Sequence, residues 1–291
     1  REVPTALLQM RDAVDATRNI LNEDNQSRLI WSQNLGAAAD QLQNARQAEA
    51  LLFTGCVSSF YPMAYSIPQS LVQIMEQAGV TYTTLGGEEW CCGYPLYLAG
   101  MQERVAELAR HNIARVQELA PQALVATCAS CYHTWHHLYP EYNGGNGAFG
   151  FDVLHASEFL ARLIADGRIK MAELPWVVTY HDPCDLGRKN GVYDAPRSII
   201  NSIPGMQLRE MPNTREDAMC CGGGGDVAMM EADVTEHIGE RRLAQAVTTG
   251  AEAIISSCQQ CKRTLLQAAR KTKTRIKILD VTELVWQAME K

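Results

Sequence analysis

Ten cysteines, arranged as one pattern used twice, constrain this chain more than any other feature. The first five read C-x34-C-C-x35-C-x2-C, the second five read C-x35-C-C-x36-C-x2-C, and no cysteine lies outside the pattern. Equivalent cysteines are 128 residues apart at the first position and 130 apart at the last two. Such a repeat indicates two copies of one cysteine-dependent unit. The copies contain Cys56, Cys91, Cys92, Cys128 and Cys131, and Cys184, Cys220, Cys221, Cys258 and Cys261.

Three kinds of sulfur chemistry compete for this pattern. Disulfide frameworks are typical of small secreted domains, whereas this chain has 291 residues, and adjacent cysteines such as Cys91 and Cys92 bridge each other only with strain. Structural zinc takes four ligands, so five thiols per copy would leave one unused. An iron–sulfur cluster has several irons and therefore several positions for thiolates. The count favours one iron–sulfur cluster in each copy, with zinc and disulfides as the alternatives.

Short apolar runs stand directly before four of the cysteines and are typical of short buried strands. The runs are residues 50–55, 123–127, 176–183 and 251–257. Segments 102–119 and 231–248 lie between them and have the periodicity of amphipathic helices. Alternating strands and helices predict an α/β fold with parallel sheets. Because ligands gather beyond the ends of parallel strands, we expect the cysteines of each copy to meet in one crevice.

Glycine follows both cysteine pairs, in segments 90–95 (WCCGYP) and 219–226 (MCCGGGGD). Glycine lets the backbone turn close to a cluster without a Cβ clash. A helix that begins just afterwards would direct N–H groups and its positive dipole end at anionic sulfur. A phosphate-binding loop is the alternative for residues 223–225, although neither a Walker lysine nor a G-x-G-x-x-G context accompanies them.

The remaining composition excludes several classes of protein. Apolar residues make up 46 % of the chain and charged residues 20 %, which is typical of globular proteins. The net charge of −7 and the lack of a basic stripe argue against a nucleic-acid partner. No run approaches the ~18–20 apolar residues of a membrane span. Residues 1–4 (REVP) begin no secretory signal, so we expect a cytoplasmic chain that is a processed piece or one end of a longer protein.

Both C-C-G sequences, with all five cysteine positions in each copy, resemble the cysteine-rich CCG domain as it occurs twice in the B-subunit family of heterodisulfide reductase. The resemblance covers about residues 48–288. It implies two noncubane 4Fe–4S clusters, each bound by the five cysteines of one copy. It also implies two domains related by a pseudo-twofold axis, whose clusters face each other and cleave a disulfide between them.

The expected fold is therefore α/β, with two tandem CCG domains that contain parallel sheets, preceded by N-terminal helices. We place a helical segment at 1–47, the first CCG domain at 48–170 and the second at 171–291. Segments 150–170 and 276–284 each have the pattern of a strand followed by a helix. This agreement indicates a duplication without using any cysteine.

The resemblance implies an enzyme, an iron–sulfur oxidoreductase subunit that reduces or forms a disulfide with a small disulfide or thiol substrate. It implies a ferredoxin-type iron–sulfur subunit or fused domain, similar to the C subunit of heterodisulfide reductase, as electron partner. A flavin subunit or a membrane cytochrome would be a further partner, and would associate a cytoplasmic chain with the membrane. The alternative is a non-catalytic electron-relay subunit of a quinone-linked dehydrogenase, of the glycolate, lactate or glycerol-3-phosphate type. Many such relatives lack a cysteine in one copy, whereas both copies are intact here.

Redox chemistry at sulfur also needs protons, and two histidines stand close to cysteines in the sequence. His133 follows Cys131 by two residues, and His181 precedes Cys184 by three. Imidazole has an unperturbed pKa near ~6.5 and exchanges a proton close to neutral pH. His133 and His181 are therefore the candidate catalytic residues. The structural alternative is that His181 only hydrogen-bonds its loop.

Overall fold

Parallel strands form two four-stranded sheets, one in each half of the chain. The computed structural model describes residues 3–36, 42–43, 45–144 and 147–290. The first sheet has the order β2-β1-β3-β4 and the second the order β6-β5-β7-β8. The strands are β1 Ala50–Phe53, β2 Tyr82–Thr84, β3 Ala123–Ala126, β4 Asp152–His155, β5 Val177–His181, β6 Gln207–Leu208, β7 Ala253–Ser256 and β8 Lys277–Asp280. All neighbours within each sheet pair in parallel, so the predicted α/β class is confirmed.

Helices cover these sheets and separate the strands. They are α1 Thr5–Thr17, α2 Gly55–Phe60, α3 Ser66–Gln77, α4 Tyr94–Leu98, α5 Gln102–Leu119, α6 Ala129–His133, α7 Ala156–Ala165, α8 Asp194–Ser202, α9 Val227–Met230, α10 Ala232–Thr248, α11 Gln259–Thr272 and α12 Val281–Ala288. The two helices predicted from periodicity correspond to α5 and α10. In the described part of the chain, no helix has the length and apolar composition that crossing a bilayer requires.

The inner strands explain why the apolar runs lack alternation. Every residue of β1, β3 and β7 is buried, because helices cover both faces of a parallel sheet and each face needs apolar side chains. Phe53 pairs with Ala126 at the ends of β1 and β3, and His181 pairs with Ser256 at the ends of β5 and β7. The chain segments that follow these strands therefore leave each sheet at the same edge.

The N-terminal segment packs on the first half of the chain. Its described part consists of α1 and a 3₁₀ helix, Asn25–Ser32, where the sequence predicted N-terminal helices. Leu7, Met10 and Val14 on α1 belong to one apolar cluster with Cys56 and Cys91. The prediction for 1–47 also includes residues 1–2, 37–41 and 44, which lie outside the described residues.

By packing, the chain divides into two compact units, Arg1–His155 and Ala156–Lys291. Each unit contains one sheet and five cysteines. Helix α7 follows the last strand of the first sheet, yet it packs against α8 and α12 and groups with the second unit. The domain boundary between residues 170 and 171 stays a prediction.

A buried polar cluster begins the last helix, α12. The Asp280 carboxylate accepts a hydrogen bond from the Thr282 N–H at 3.0 Å, and the Glu283 carboxylate accepts one from the Asp280 N–H at 2.7 Å. The Asp280 carboxylate also accepts from the Glu283 N–H, so Asp280 and Glu283 form a capping box, which satisfies N–H groups that the first turn of a helix leaves free. Lys262 neutralises Glu283, with a 2.8 Å contact between Nζ and the carboxylate.

Candidate metal centres

The cysteines of the first unit lie beyond the ends of neighbouring strands. Cys56 is the second residue of α2, directly after β1, and Cys128 is the N-cap of α6, directly after β3. Cys131 lies one turn further along α6. The adjacent Cys91 and Cys92 lie in the loop that leads to α4. The parallel order of the strands thus places three separate stretches of sequence at one edge of the sheet.

The five thiols of this unit contact one another in a continuous order. Hydrogen bonds join Cys56 to Cys91, Cys91 to Cys92, Cys92 to Cys131 and Cys131 to Cys128. All five residues are buried, with exposed fractions of 2–7 %. Hydrogen bonds from the Cys131 and Cys91 thiols lower the pKa of Cys92 to about 5. The hydrogen bond with Cys91, together with burial, raises the pKa of Cys56.

The second unit repeats this arrangement. Cys184 contacts Cys220, Cys220 contacts Cys221, Cys221 contacts Cys261, and Cys261 contacts Cys258. The Sγ atoms of Cys221 and Cys261 are 3.3 Å apart. Cys184 and Cys220 are only half-buried, in contrast to their equivalents in the first unit. The structure therefore brings the ten sequence-predicted cysteines together as two groups of five with the same order of contacts.

Backbone conformation and steric crowding explain why glycine follows each cysteine pair. Gly93 and Gly222 have φ angles of +83° and +87°, in the left-handed region that glycine adopts most readily. A Cβ on Gly222 would lie 2.7 Å from the Thr235 carbonyl oxygen. In this conformation the Gly93 N–H donates to the Cys91 sulfur at 3.4 Å, and the Gly222 N–H donates to the Cys220 sulfur at 3.2 Å.

A buried ion pair holds the first group. Arg28 contacts Glu89 with 2.8 Å between Nη1 and Oε1, and both side chains are 1 % exposed. The Glu89 carboxylate also accepts hydrogen bonds of 2.8 Å from the Thr54 and Gly55 N–H groups at the start of α2. Arg28 Nη2 lies 3.8 Å from the Cys56 sulfur. Glu89 therefore neutralises the arginine beside Cys56 and fixes the helix that carries this cysteine.

Two further side chains hold the backbone of the first cysteine pair. The Asn112 amide on α5 donates to the carbonyl oxygens of Trp90 and Cys91, at 3.2 and 3.3 Å. The Tyr139 hydroxyl donates to the Cys92 carbonyl at 3.1 Å. In the second unit, Arg188 has a related role, because its Nη1 donates to the Ala218 carbonyl at 2.6 Å, just before the cysteine pair.

His181 lies against the second group of cysteines. It is fully buried at the end of β5. One of its ring nitrogens and the Sγ atoms of Cys221 and Cys261 all lie within 4.8 Å of one another. Its Nδ1 accepts a 3.0 Å hydrogen bond from Nε of Arg242, which is also buried. Burial, with the charge of Arg242, lowers the pKa of His181 to about 3, so the imidazole is neutral at physiological pH.

The other candidate histidine, His133, has different surroundings. It is the last residue of α6 and is half-buried. Its ring packs edge-on against Tyr94, with 5.7 Å between ring centroids, and lies 5.0 Å from the ring of His137. His137 is exposed. The structure thus places His133 between the surface and the buried residues after the first cysteine pair; its catalytic role and that of His181 stay predictions.

The two groups of thiols fit iron–sulfur clusters in three respects. Five sulfur ligands per group exceed the four that a tetrahedral zinc ion takes. Backbone N–H groups face sulfur, as the hydrogen bonds of Gly93 and Gly222 show. Buried donors also remain free at the second group: among the described residues, His181 Nε2 and Arg242 Nη2 have no hydrogen-bond partner. Sulfide and thiolate would supply the missing acceptors.

Comparison with known proteins agrees with this geometry. A model of the cysteine-rich CCG domain matches residues 50–135 and 178–266. This chain belongs to the CCG family. Each matched region includes one complete group of five CCG cysteines, which accounts for the repeat in the sequence.

Several relatives of this CCG protein are components of oxidoreductases. The D subunit of dihydromethanophenazine:CoB–CoM heterodisulfide reductase from Methanosarcina barkeri is 33 % identical over 271 residues, which cover 92 % of this chain and 64 % of the relative. EtfAB:quinone oxidoreductase from Syntrophomonas wolfei is 31 % identical, with coverages of 85 % and 35 %. The B subunit of fumarate reductase (CoM/CoB) from Methanothermobacter marburgensis is 31 % identical, with coverages of 80 % and 45 %. The chain thus spans less than two thirds of these relatives' lengths.

Among solved structures, a hypothetical protein from Helicobacter pylori superposes with a TM-score of 0.60 at 12 % identity. The match covers 94 % of this chain and 58 % of the other. At this identity the likeness concerns the fold alone. The heterodisulfide reductase relative from Methanosarcina barkeri is a D subunit, whereas the sequence resemblance pointed to the B-subunit family.

Sequence reasoning missed the side chains that hold the cysteines. Arg28 precedes Cys56 by 28 residues, and Arg242 lies within a helix whose only signal in the sequence is its periodicity. Neither residue belongs to a motif, so nothing local distinguishes it from a surface arginine. A comparison of equivalent positions in the two copies would have given a useful signal, because Phe53 in β1 corresponds to His181 in β5.

Proposed function

We propose that this chain is an iron–sulfur oxidoreductase subunit that reduces or forms a disulfide, with one noncubane 4Fe–4S cluster on each group of five cysteines. The observation that carries the proposal is the shared order of thiol contacts, which runs from the first cysteine through the pair to the CxxC in both units. The duplication preserves every ligand position, as expected if both units bind the same metal group.

The cysteines and histidines would have separate roles. The cysteines of each group, as thiolates, would hold the cluster, which supplies electrons to or removes electrons from a substrate sulfur. Reduction of a disulfide to two thiols needs two electrons and two protons, and we propose a ferredoxin-type subunit or fused domain as the source of the electrons. His133 is the proposed proton donor, because its half-buried ring lies beside the exposed His137. The His181 ring is neutral, and its Nδ1 already accepts a hydrogen bond from Arg242.

Metal analysis tests the cofactor assignment. We expect anaerobically prepared protein to contain about eight iron atoms per chain, with matching acid-labile sulfide. Cys131→Ser and Cys261→Ser are a matched pair, one in each unit, and each variant should retain about half of the iron. One or two zinc ions with little iron in the wild-type protein would refute the assignment.

A second function is supported by the similarity to EtfAB:quinone oxidoreductase. In this alternative the chain relays electrons in a quinone-linked complex and no substrate sulfur reacts at its clusters. A thiol added to the oxidised protein separates the two functions. A new paramagnetic signal, together with turnover of a free disulfide with dithionite, supports disulfide chemistry. An unchanged spectrum without turnover, in protein with full iron content, supports the relay.

A further inference from the structure

The two cysteine groups differ most at the residue that ends the strand before the first cysteine. Phe53 ends β1 and His181 ends β5, each three residues before the first cysteine of its group. Phe53 is fully buried and packs edge-on against Trp135, with ring centroids 5.6 Å apart. His181 is equally buried but brings two ring nitrogens into the second unit. One copy therefore has an apolar ring where the other has a hydrogen-bonding ring.

The contact with Arg242 determines which nitrogen of His181 carries the proton. The Arg242 Nε–H donates to Nδ1 of His181 at 3.0 Å. Arginine is only a donor, so Nδ1 is the acceptor and the proton of the neutral imidazole is on Nε2. Nε2–H is buried and, among the described residues, has no acceptor. A buried donor without an acceptor destabilises the fold, so an acceptor that completes this site would remove that cost.

Arg242 adds a positive charge to the same place, and among the described residues no carboxylate contacts it directly. Its Nη1 donates to the Asn213 carbonyl and the Gln245 side chain, at 3.0 and 2.7 Å, and both of these acceptors are neutral. Its Nη2 is buried without a partner in the described chain. The arginine of the first unit, Arg28, is neutralised by Glu89 at 2.8 Å. Of these two buried arginines, only the one in the second unit lacks a carboxylate partner within the described residues.

We infer that His181 and Arg242 donate hydrogen bonds to the sulfurs of the cluster in the second unit and give it a more positive reduction potential than the cluster in the first. The inference rests on the proposed function, because it needs a cluster on each group of cysteines. Reduction adds negative charge to the cluster sulfurs, and donors and cations beside them stabilise the reduced form. The second cluster would therefore accept an electron before the first.

A redox titration of the complete chain, followed by electron paramagnetic resonance, tests the inference. We expect two reduction waves, and the Cys261→Ser variant identifies the first cluster's wave because it keeps only that cluster. His181→Phe introduces the residue that the first unit has at this position. It should move the wave of the second cluster to a more negative potential and leave the other unchanged. His237→Phe, the same substitution at an exposed site on α10, should move neither wave.

Other results would overturn the inference. If His181→Phe retains all its iron and both waves stay in place, His181 does not donate to the cluster. If the variant loses the iron of the second unit alone, His181 is a ligand and not a donor. A wild-type chain without iron would refute the proposed function itself.

A measurement on the wild-type protein keeps the test independent of whether the variant folds. Hyperfine spectroscopy of the reduced second cluster should show an exchangeable proton that deuterium replaces. With ¹⁵N-labelled histidine, we expect only the weak nitrogen coupling of a hydrogen-bond donor. Strong nitrogen coupling, as from a ligand, or the absence of any such proton would contradict the inference.

Discussion

The two cysteine groups have the same thiol contacts but different surroundings. In the first unit all five cysteines are buried, and the nearby arginine is paired with a buried carboxylate. In the second unit Cys184 and Cys220 are half-buried, and the hydrogen bonds found for Arg242 among the described residues go to neutral groups. If each group binds a cluster, as proposed, the cysteines alone would make the two clusters equivalent. Charge, hydrogen bonding and exposure around a cluster set its potential, so the side chains around the cysteines would then give one duplicated motif two electrochemical roles.

The largest expected effect concerns the charges that hold the two groups. Glu89→Ala in the first unit would leave Arg28 buried without a counter-ion and would remove the acceptor for two N–H groups of α2. We expect a loss of about 3–5 kcal/mol in the free energy of unfolding. Anaerobic denaturation with guanidinium measures it.

The matched variant in the second unit is Glu210→Ala. The Glu210 side chain is 38 % exposed and contacts Arg197 at 2.6 Å, while Arg197 keeps its buried partner Asp182. We expect a loss of no more than about 1 kcal/mol. Equal losses for the two variants would show that burial of the Arg28–Glu89 pair adds nothing to its stabilising effect. The two units would then not differ in this respect.

The glycines after the cysteine pairs give the next effect. Alanine at either position must adopt a positive φ, at a cost of about 1–2 kcal/mol. At Gly93 the new Cβ would meet the side chain of Leu108 at 3.2 Å, which can move, whereas at Gly222 it would meet the Thr235 carbonyl at 2.7 Å. We therefore expect Gly222→Ala to destabilise the protein by about 2–4 kcal/mol and Gly93→Ala by less, as measured by the same denaturation. The reverse order would show that the loop of the second unit is free to shift.

The last effect builds up gradually: it is a dependence of stability on pH that we assign to the second unit. Burial raises the pKa of Asp280 to about 7, while an unfolded aspartate has a pKa near ~3.9. The folded state therefore binds a proton that the unfolded state releases between these values. Stability should fall as pH rises through this window, by up to about 1.4 kcal/mol per pH unit, and should change little outside it.

Asp280→Asn tests this dependence, because the amide oxygen still accepts from the Thr282 N–H and cannot titrate. At the strand end that corresponds to Asp280, the first unit has His155 in place of an aspartate. Thermal unfolding between pH 4 and 8 should give a flatter profile for the variant than for the wild-type protein. Parallel profiles would show that Asp280 is ionised in the folded state.

Sequence patterns predicted much of this architecture. The apolar runs marked β1, β3, β5 and β7, because strands buried on both faces need uninterrupted apolar residues. Helix α5 has the bounds that its periodicity predicted. The N-terminal helices were also predicted, but not their type: after α1 comes a 3₁₀ helix, Asn25–Ser32. Its most consequential residue, Arg28, is fixed by a carboxylate 61 residues away, which no local pattern records.

The amino-acid sequence by itself determined that this chain has two equivalent sets of five cysteines, and it predicted their place at the ends of parallel strands. The spacing of cysteines and the apolar runs are local properties, and both persist through the duplication. Only the tertiary structure decided how the two sets differ. The partners of Arg28 and Arg242 come from distant segments, and whether a buried charge is balanced depends on which side chains the fold brings within a few ångströms of it.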